Sequence, residues 1–431
     1  MPSVYTGGGR GIDPAICWHL GVNALEKAGW GTVAAAYLAG VVGTMVQFSL
    51  APVLPPVQAR FGLNSVEAGW VMSLFAIATL ATALPAGLAS GRLGLRRIGV
   101  GGLVGMAAGL AAVAFALGSR QVWALWFGRA VEGLGFGLVA VAAPAAIGRH
   151  AAPRIMPWAM AIWATWVPVG ALAMFFAGPR WAAGAHGLSW FQLGMAAVAL
   201  VAAMGYAMRV PAGSESKDGG GRWPVVAALG RAWQRRPVVW AAAAFAAFTF
   251  GAFGFNTFVT SFFTQRFGWS LVAAGNLGAL FSAAGGLGNL VAGFVTGRSR
   301  NAGAVSVLVS AGMTVLWLGL LLPQPLAAGA AALAASGVGG FVPTAVFAAP
   351  VRNAEAPDEI PLLMSLVIVG ENVGIIMGPA WFGLALHLFG GWTVPFLSIA
   401  LAAAFMTSCL AAAERHPLPR AMHEGSQFGR R

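Results

Sequence analysis

Three ionisable residues interrupt the long apolar runs of this 431-residue sequence: Arg129, Glu132 and Glu371. An Arg, Lys or Asp at the centre of a membrane helix costs about 2.5–3.5 kcal/mol on insertion scales, so such residues turn inward, toward a partner or a wet cavity. Arg129 and Glu132 stand three apart, which puts them on one helix face within pairing reach. Two readings of the pair follow. It neutralises itself and only ties its helix to its neighbours, or it lines a cavity where Arg129 binds an anionic group with Glu132 as its partner. Glu371 has no cation near it in sequence and precedes Asn372. One reading is a neutral, hydrogen-bonded carboxyl at a helix interface. The other is a proton carrier or charge partner of Arg129, because a carboxylate whose surroundings alternate between dry and charged exchanges its proton.

Neutral candidates accompany them. Tyr37, Thr44 and Gln47 share one apolar run, and Thr249, Asn256 and Thr260 recur at helical spacing in another. Gln47 and Asn256 are the main candidates for hydrogen bonds to a solute, and Trp166 with Trp163 would cap one. Interhelical hydrogen bonds account for the polar residues equally well.

What surrounds these residues is apolar. The chain is 58% hydrophobic and 9% charged, with a mean hydropathy of +0.78. Soluble domains carry about 25% charged residues, so this composition calls for lipid as solvent. The net charge of +13 sits in short clusters between apolar runs, which argues for membrane topology signals and against nucleic-acid binding. Cys17 and Cys409 lie near opposite ends, with no metal-ligand spacing, so no disulfide framework, zinc site or other cofactor is expected. No phosphate loop, dinucleotide turn or supported catalytic triad occurs, so the chain does not read as an enzyme. The first thirty residues are polar and mixed in charge, unlike a cleaved signal peptide. Arg over Lys, with heavy Ala and Gly, suggests a bacterial source.

Twelve runs are long enough to cross about 30 Å of hydrocarbon as helices of roughly 20 residues. They lie near 31–54, 66–90, 98–118, 121–148, 156–178, 188–208, 238–263, 270–297, 303–322, 325–349, 361–388 and 392–412. Of the 25 Lys and Arg residues, twenty fall in one alternate set of loops and termini, four in the other, and Arg129 lies inside a span. That bias predicts cytoplasmic termini and an even number of crossings. The predicted organisation is a cytoplasmic segment 1–30, a six-helix half 31–208, a cytoplasmic loop 209–237, a second half 238–412 and a cytoplasmic tail 413–431.

The halves repeat. Residues 60–92 align without a gap on 266–298, with 14 of 33 positions identical, among them Arg60, Phe61, Gly62, Gly69, Gly87, Gly91 and Arg92. A six-span offset keeps the orientation, so the halves are parallel repeats about an axis along the membrane normal.

Six plus six spans and a glycine-arginine turn after the second resemble the major facilitator superfamily of secondary transporters. The loop after span 2 in that family reads G-x-L-A-D-R-x-G-R-R. Here Gly87, Arg92, Gly94 and Arg96 match, while Gly91 stands where the family has Asp, and the second half offers Gly293, Gly297 and Arg298. The resemblance implies that this segment is a gating motif, with its charge latch weakened by Gly91 and Gly297. The family's R-x-x-x-G-x-G pattern in span 4 is met by Arg129, Gly133 and Gly135, and it associates that Arg with proton coupling. The G-x-x-x-G-P signature of drug-proton antiporters is absent from span 5, MAIWATWVPVGALAM.

The expected fold is therefore an all-α membrane protein of two six-helix repeats. The expected function is alternating-access transport of a small polar organic solute across a bacterial inner membrane, coupled to protons, by a monomer embedded in the lipid bilayer. An organic anion is favoured because Arg129 is the one intramembrane cation. The alternatives are export of drugs or metabolites, which an aromatic cavity would favour, and a non-transporting sensor or assembly partner.

Overall fold

A computed structural model describes residues 14–182, 187–212, 230, 233–355 and 359–415. Among these no strand occurs, and twelve helical spans are long and apolar enough to cross a membrane. They are span 1 Gly29–Phe61, span 2 Ser65–Ala83, span 3 Leu95–Ser119, span 4 Val122–His150, span 5 Trp158–Trp181 and span 6 Gly187–Arg209 in the first half. Span 7 Arg236–Phe267, span 8 Leu271–Arg298, span 9 Ala302–Leu321, span 10 Pro325–Asn353, span 11 Leu362–Phe389 and span 12 Thr393–Arg415 form the second. Helix is the element that satisfies its own backbone hydrogen bonds in lipid, and the runs are too long for barrel strands. Large apolar side chains are exposed around the bundle, as at Leu308, Leu326 and Leu401, each more than 70% accessible, which is the surface a bilayer covers.

The first helix begins at Pro14, ahead of the expected start at 31. The expected terminal segments and central loop lie mainly outside the described residues.

Prolines break spans that read as continuous. The helix Pro14–Gln47 stops, a 3-10 turn covers Ala51–Val53, and a short helix runs over Leu54–Phe61. Pro52, Pro55 and Pro56 remove the backbone donors that would carry the first helix onward. Span 5 divides at Ala164–Thr165 ahead of Pro168, and span 10 at Gly340 ahead of Pro343, by the same mechanism.

The repeated residues have a repeated task. Gly62 and Gly268, equivalent in the repeat, both adopt the left-handed conformation, φ 68° and 67°, and end spans 1 and 7. Arg60 donates to the Leu117 carbonyl at the end of span 3, and Arg266 donates to the Leu321 carbonyl at the end of span 9, at 3.0 Å. In each half a guanidinium thus meets the negative end of a neighbouring helix. Within the halves, glycine stripes bring helices into backbone contact. Gly133 and Gly137 of span 4 lie on Phe75 and Thr79 of span 2, and Gly370, Gly374 and Gly378 of span 11 lie on Ala242, Ala246 and Phe250 of span 7.

Candidate functional site

The break in span 1 sets the geometry of the first half. Ending a helix at Gln47 leaves its last carbonyls short of donors, at the negative end of the helix dipole. Arg129 supplies both the donors and the charge. Its Nη1 donates to the Val46 carbonyl and its Nη2 to the Gln47 carbonyl, each at 3.3 Å. The same Nη1 pairs with Glu132 Oε2 at 2.5 Å, and the guanidinium lies 4.7 Å from the Phe75 ring centre. Both ionic side chains are fully buried, and Gly109 of span 3 leaves the space that the Glu132 side chain fills. Arg129 is therefore engaged from four sides, and of the pair only its Nε and Glu132 Oε1 lack a partner among the described residues.

An aromatic row runs from this pair along the first half. Phe75 contacts Phe136 at 5.2 Å, Phe136 stacks on Trp166 at 5.8 Å, and Trp166 stacks on Trp163 at 4.9 Å. Gly40 faces Trp163 and Gly43 faces Phe136, so span 1 has no side chains where the rings need room. Tyr37 is taken up by an interhelical bond, its hydroxyl 2.9 Å from Thr165 Oγ1 at the kink of span 5. Gln47 is nearly buried, and its side-chain amide meets no hydrogen-bond partner among the described residues. It faces a gap of about 10 Å³, room for about one water, whose other walls include Phe75, Phe253, Thr257, Ile375 and Pro379. This gap lies between the two halves, where Phe48 stacks on Phe253 at 5.5 Å.

The second half contributes Asn256 and Glu371. Asn256 is half-buried and has no hydrogen bond among the described residues. Thr249 is buried and binds two helices together, donating to its own Phe245 carbonyl and to the Glu371 carbonyl, both at 2.9 Å. Thr260 likewise donates to the Ala51 carbonyl of the first half at 3.1 Å. Glu371 is half-buried, and its carboxyl meets neither a cation nor a donor among the described residues. It stands one and two helical turns from Ile375 and Pro379, so it shares their face, which is turned to the first half.

The halves close on each other at one end, the end bearing Gly62, Gly268 and Gly390. Ser73 Oγ donates to the Ile376 carbonyl at 2.7 Å, a Cβ on Gly69 would overlap the Pro379 carbonyl, and Gly383 sits on the Ser65 carbonyl. These contacts run from Ser65 to Ser73 of span 2, ~12 Å of helix. Glu371 lies five residues beyond them, ~7.5 Å deeper. The pseudo-symmetric contact joins spans 8 and 5, where Gly275 sits against Pro179 and the Phe175 carbonyl. Gly69 and Gly275 are equivalent in the repeat. The Gly178-Pro179 step at the end of span 5 was overlooked as a site in the sequence, although a Gly-Pro pair in a span is itself a signal of close backbone approach.

The opposite end carries the gating segment. Gly91 and Gly297 are helical, and the left-handed residue of the turn is Gly94, φ 79°. The side chains of residues 87–92, including Gly87 and Arg92, fall outside the described residues. Arg96 is half-buried, and the Arg298 guanidinium lies 3.7 Å over Phe294. Open space surrounds Gly293 and Gly297. At the same end Arg235 bridges Glu355 at 2.5 Å and Glu359 at 3.1 Å, and Arg352 bridges Glu414 at 2.5 Å. The Glu355 hydrogen bond raises Arg235 above the ordinary guanidinium range, and the Arg235 hydrogen bond holds Glu355 below the ordinary carboxyl range.

Residues 36–356 match the family profile of the Major Facilitator Superfamily. No curated protein matches the sequence significantly. Among solved structures, the fold resembles a bacterial homolog of the human lysosomal transporter Spinster in its inward-facing, unoccupied conformation. The TM-score is 0.72 at 16% identity, over 91% of this chain and 99% of the other. The inward-facing, occupied conformation gives 0.69 at 14% identity, over 89% and 95%. With three quarters of its length matching that profile, the chain belongs to the Major Facilitator Superfamily, whose members are transporters and not enzymes.

Proposed function

We propose that this protein is a proton-coupled transporter of an amphipathic organic solute, with Glu371 as the proton carrier. The observation that carries the reading is the contrast between the charges inside the spans. Arg129 has given its charge to Glu132 and to the end of span 1, whereas Glu371 has no partner among the described residues on the face where the halves meet. An anionic solute would have to displace a buried 2.5 Å ion pair, and removing one partner from such a pair costs about 3–5 kcal/mol. The anion favoured by the sequence thus loses its cation. Trp163 and Trp166, half-buried and backed by the buried rings of Phe136 and Phe75, suit an apolar body, with Gln47 and Asn256 for a polar end and Glu371 for a proton or a cationic group.

The Arg-rich loops and termini support a reading with both ends of the chain in the cytoplasm, in a bacterial inner membrane. With that orientation the sealed end faces outward and the Arg-rich end inward, which supports reading this as an inward-facing state.

The test uses purified protein. A solute panel scored by thermal stabilisation identifies a ligand, because selective binding to the folded state raises the Tm. Uptake of that ligand is then followed in proteoliposomes with and without an imposed pH gradient. The gradient should accelerate transport by the wild type and not by Glu371→Gln, which should still bind. Transport indifferent to the gradient, or a Glu371→Gln variant that keeps the pH response, removes the proposal.

A further inference from the structure

Span 7 carries four threonines, and three of them spend their hydroxyls on carbonyls: Thr249, Thr260 and Thr264. Thr257 is the exception. It is 3% exposed and has no hydrogen-bond partner among the described residues. It lines the gap between the halves opposite Gln47, which is 8% exposed and whose amide is likewise unpaired. A third polar group comes from span 11. Pro379 lies inside that helix and has no N–H, which deprives the Ile375 carbonyl, four residues before it, of its helical donor. Ile375 and Pro379 both line the same gap. Seven of its nine wall residues are buried, and Phe253 and Ile375 are half-buried, so bulk solvent has little access. A buried donor or acceptor left unpaired keeps its full desolvation penalty, so three such groups on one small space point to an occupant.

The walls define that occupant. The space is about 10 Å³, which admits one non-hydrogen atom and no carboxylate or phosphate. No charged side chain lines it, so an ion would enter without a counter-charge. An amide and a hydroxyl each donate and accept, and the carbonyl accepts. We infer that the gap is a binding site for one trapped water, hydrogen-bonded to Gln47, Thr257 and the Ile375 carbonyl. One group of the Gln47 amide suffices for the water and leaves the other for a solute. The partners belong to both halves, so parting the halves takes the site apart. By linkage the water favours the sealed arrangement. The inference concerns the seal and does not rest on the transport reading above.

The experiment uses the full chain in phosphatidylcholine nanodiscs, mixed within milliseconds into heavy-oxygen water and then given an X-ray pulse. Hydroxyl radicals formed from a bound water mark the side chains it touches, and mass spectrometry reads the oxygen added. Phe48, Met72 and Phe75 line the gap and are otherwise buried. They should carry ordinary oxygen after the bulk has exchanged. Thr257→Val and Gln47→Leu, each close in size to the residue replaced, should abolish that retained label. Spin labels at Asn64→Cys and Gln324→Cys, in a Cys17→Ser, Cys409→Ser background, report the distance between the halves at the sealed end. Each variant should lower the ratio of sealed to unsealed molecules about three- to tenfold, the loss of one hydrogen bond. The double variant should lower it no further, because one water is lost only once. Oxygen at Met72 that follows the bulk, or variants whose effects on the ratio add, overturns the inference. The wild-type labelling decides the matter even where a variant does not fold.

Discussion

Gly69 is the residue at which a single methyl group should change the conformational balance. A Cβ there would overlap the Pro379 carbonyl and come within 3.3 Å of Ala380 Cα, so backbone and not a mobile side chain stands in the way. The overlap exists only while the end is sealed. Overpacking a close contact costs about 1–3 kcal/mol, and a value near 2 kcal/mol lowers the ratio of sealed to unsealed molecules about thirtyfold. Gly275→Ala should act the same way, since the Phe175 carbonyl stands 2.7 Å from that Cβ and the Pro179 ring is closer still. Gly293→Ala is the control, with open space where the Cβ would be. The assay is the spin-label distance across the sealed end, with labels at Asn64 and Gln324. Gly69→Ala and Gly275→Ala should shift the distribution toward long distances, and Gly293→Ala should not. If Gly69→Ala keeps the short distance, the span 2–span 11 contact is not what limits opening.

Two other consequences can be measured. Arg129→Met or Glu132→Gln alone should cost about 3 kcal/mol of stability, because each strands a buried group, while the double variant should cost less than the sum of the two; thermal unfolding of the three variants that came out additive would deny the coupling. Glu355 is held below its unfolded value by Arg235, so its contribution is complete above the ordinary carboxyl range and is lost as the pH falls through the lower folded value. Glu355→Gln should accordingly flatten the acid limb of a Tm–pH profile and leave the neutral region's slope unchanged.

The ends of the spans were less legible than their number. Nothing local marks Gln47 as the end of a helix except three prolines farther on, and a proline in a membrane helix kinks it or ends it according to what its neighbours supply. Here the supply comes from Arg129, 82 residues along from Gln47. Thr249 and Tyr37 were read as solute contacts or as helix ties, and their hydrogen bonds to Glu371 and Thr165 are ties. Trp166 stacks in a row with Phe136 and Phe75 that no spacing within one span discloses.

By itself the sequence determined the twelve spans, their division into two parallel halves and the family resemblance. These depend on local quantities, the length of an apolar run, the count of arginines in a loop and the identity of repeated residues, and lipid penalises any other arrangement of such runs. Tertiary structure decided which charges are free. In sequence Arg129 has one candidate partner, Glu132, and Glu371 has none, which leaves open whether Arg129 also faces a cavity. Only the packing of spans 1, 2 and 4 around Arg129, and of spans 7 and 11 behind Glu371, buries the first in a saturated pair and turns the second toward the face between the halves. A charge in low dielectric is defined by its neighbours, and those neighbours come from distant parts of the chain.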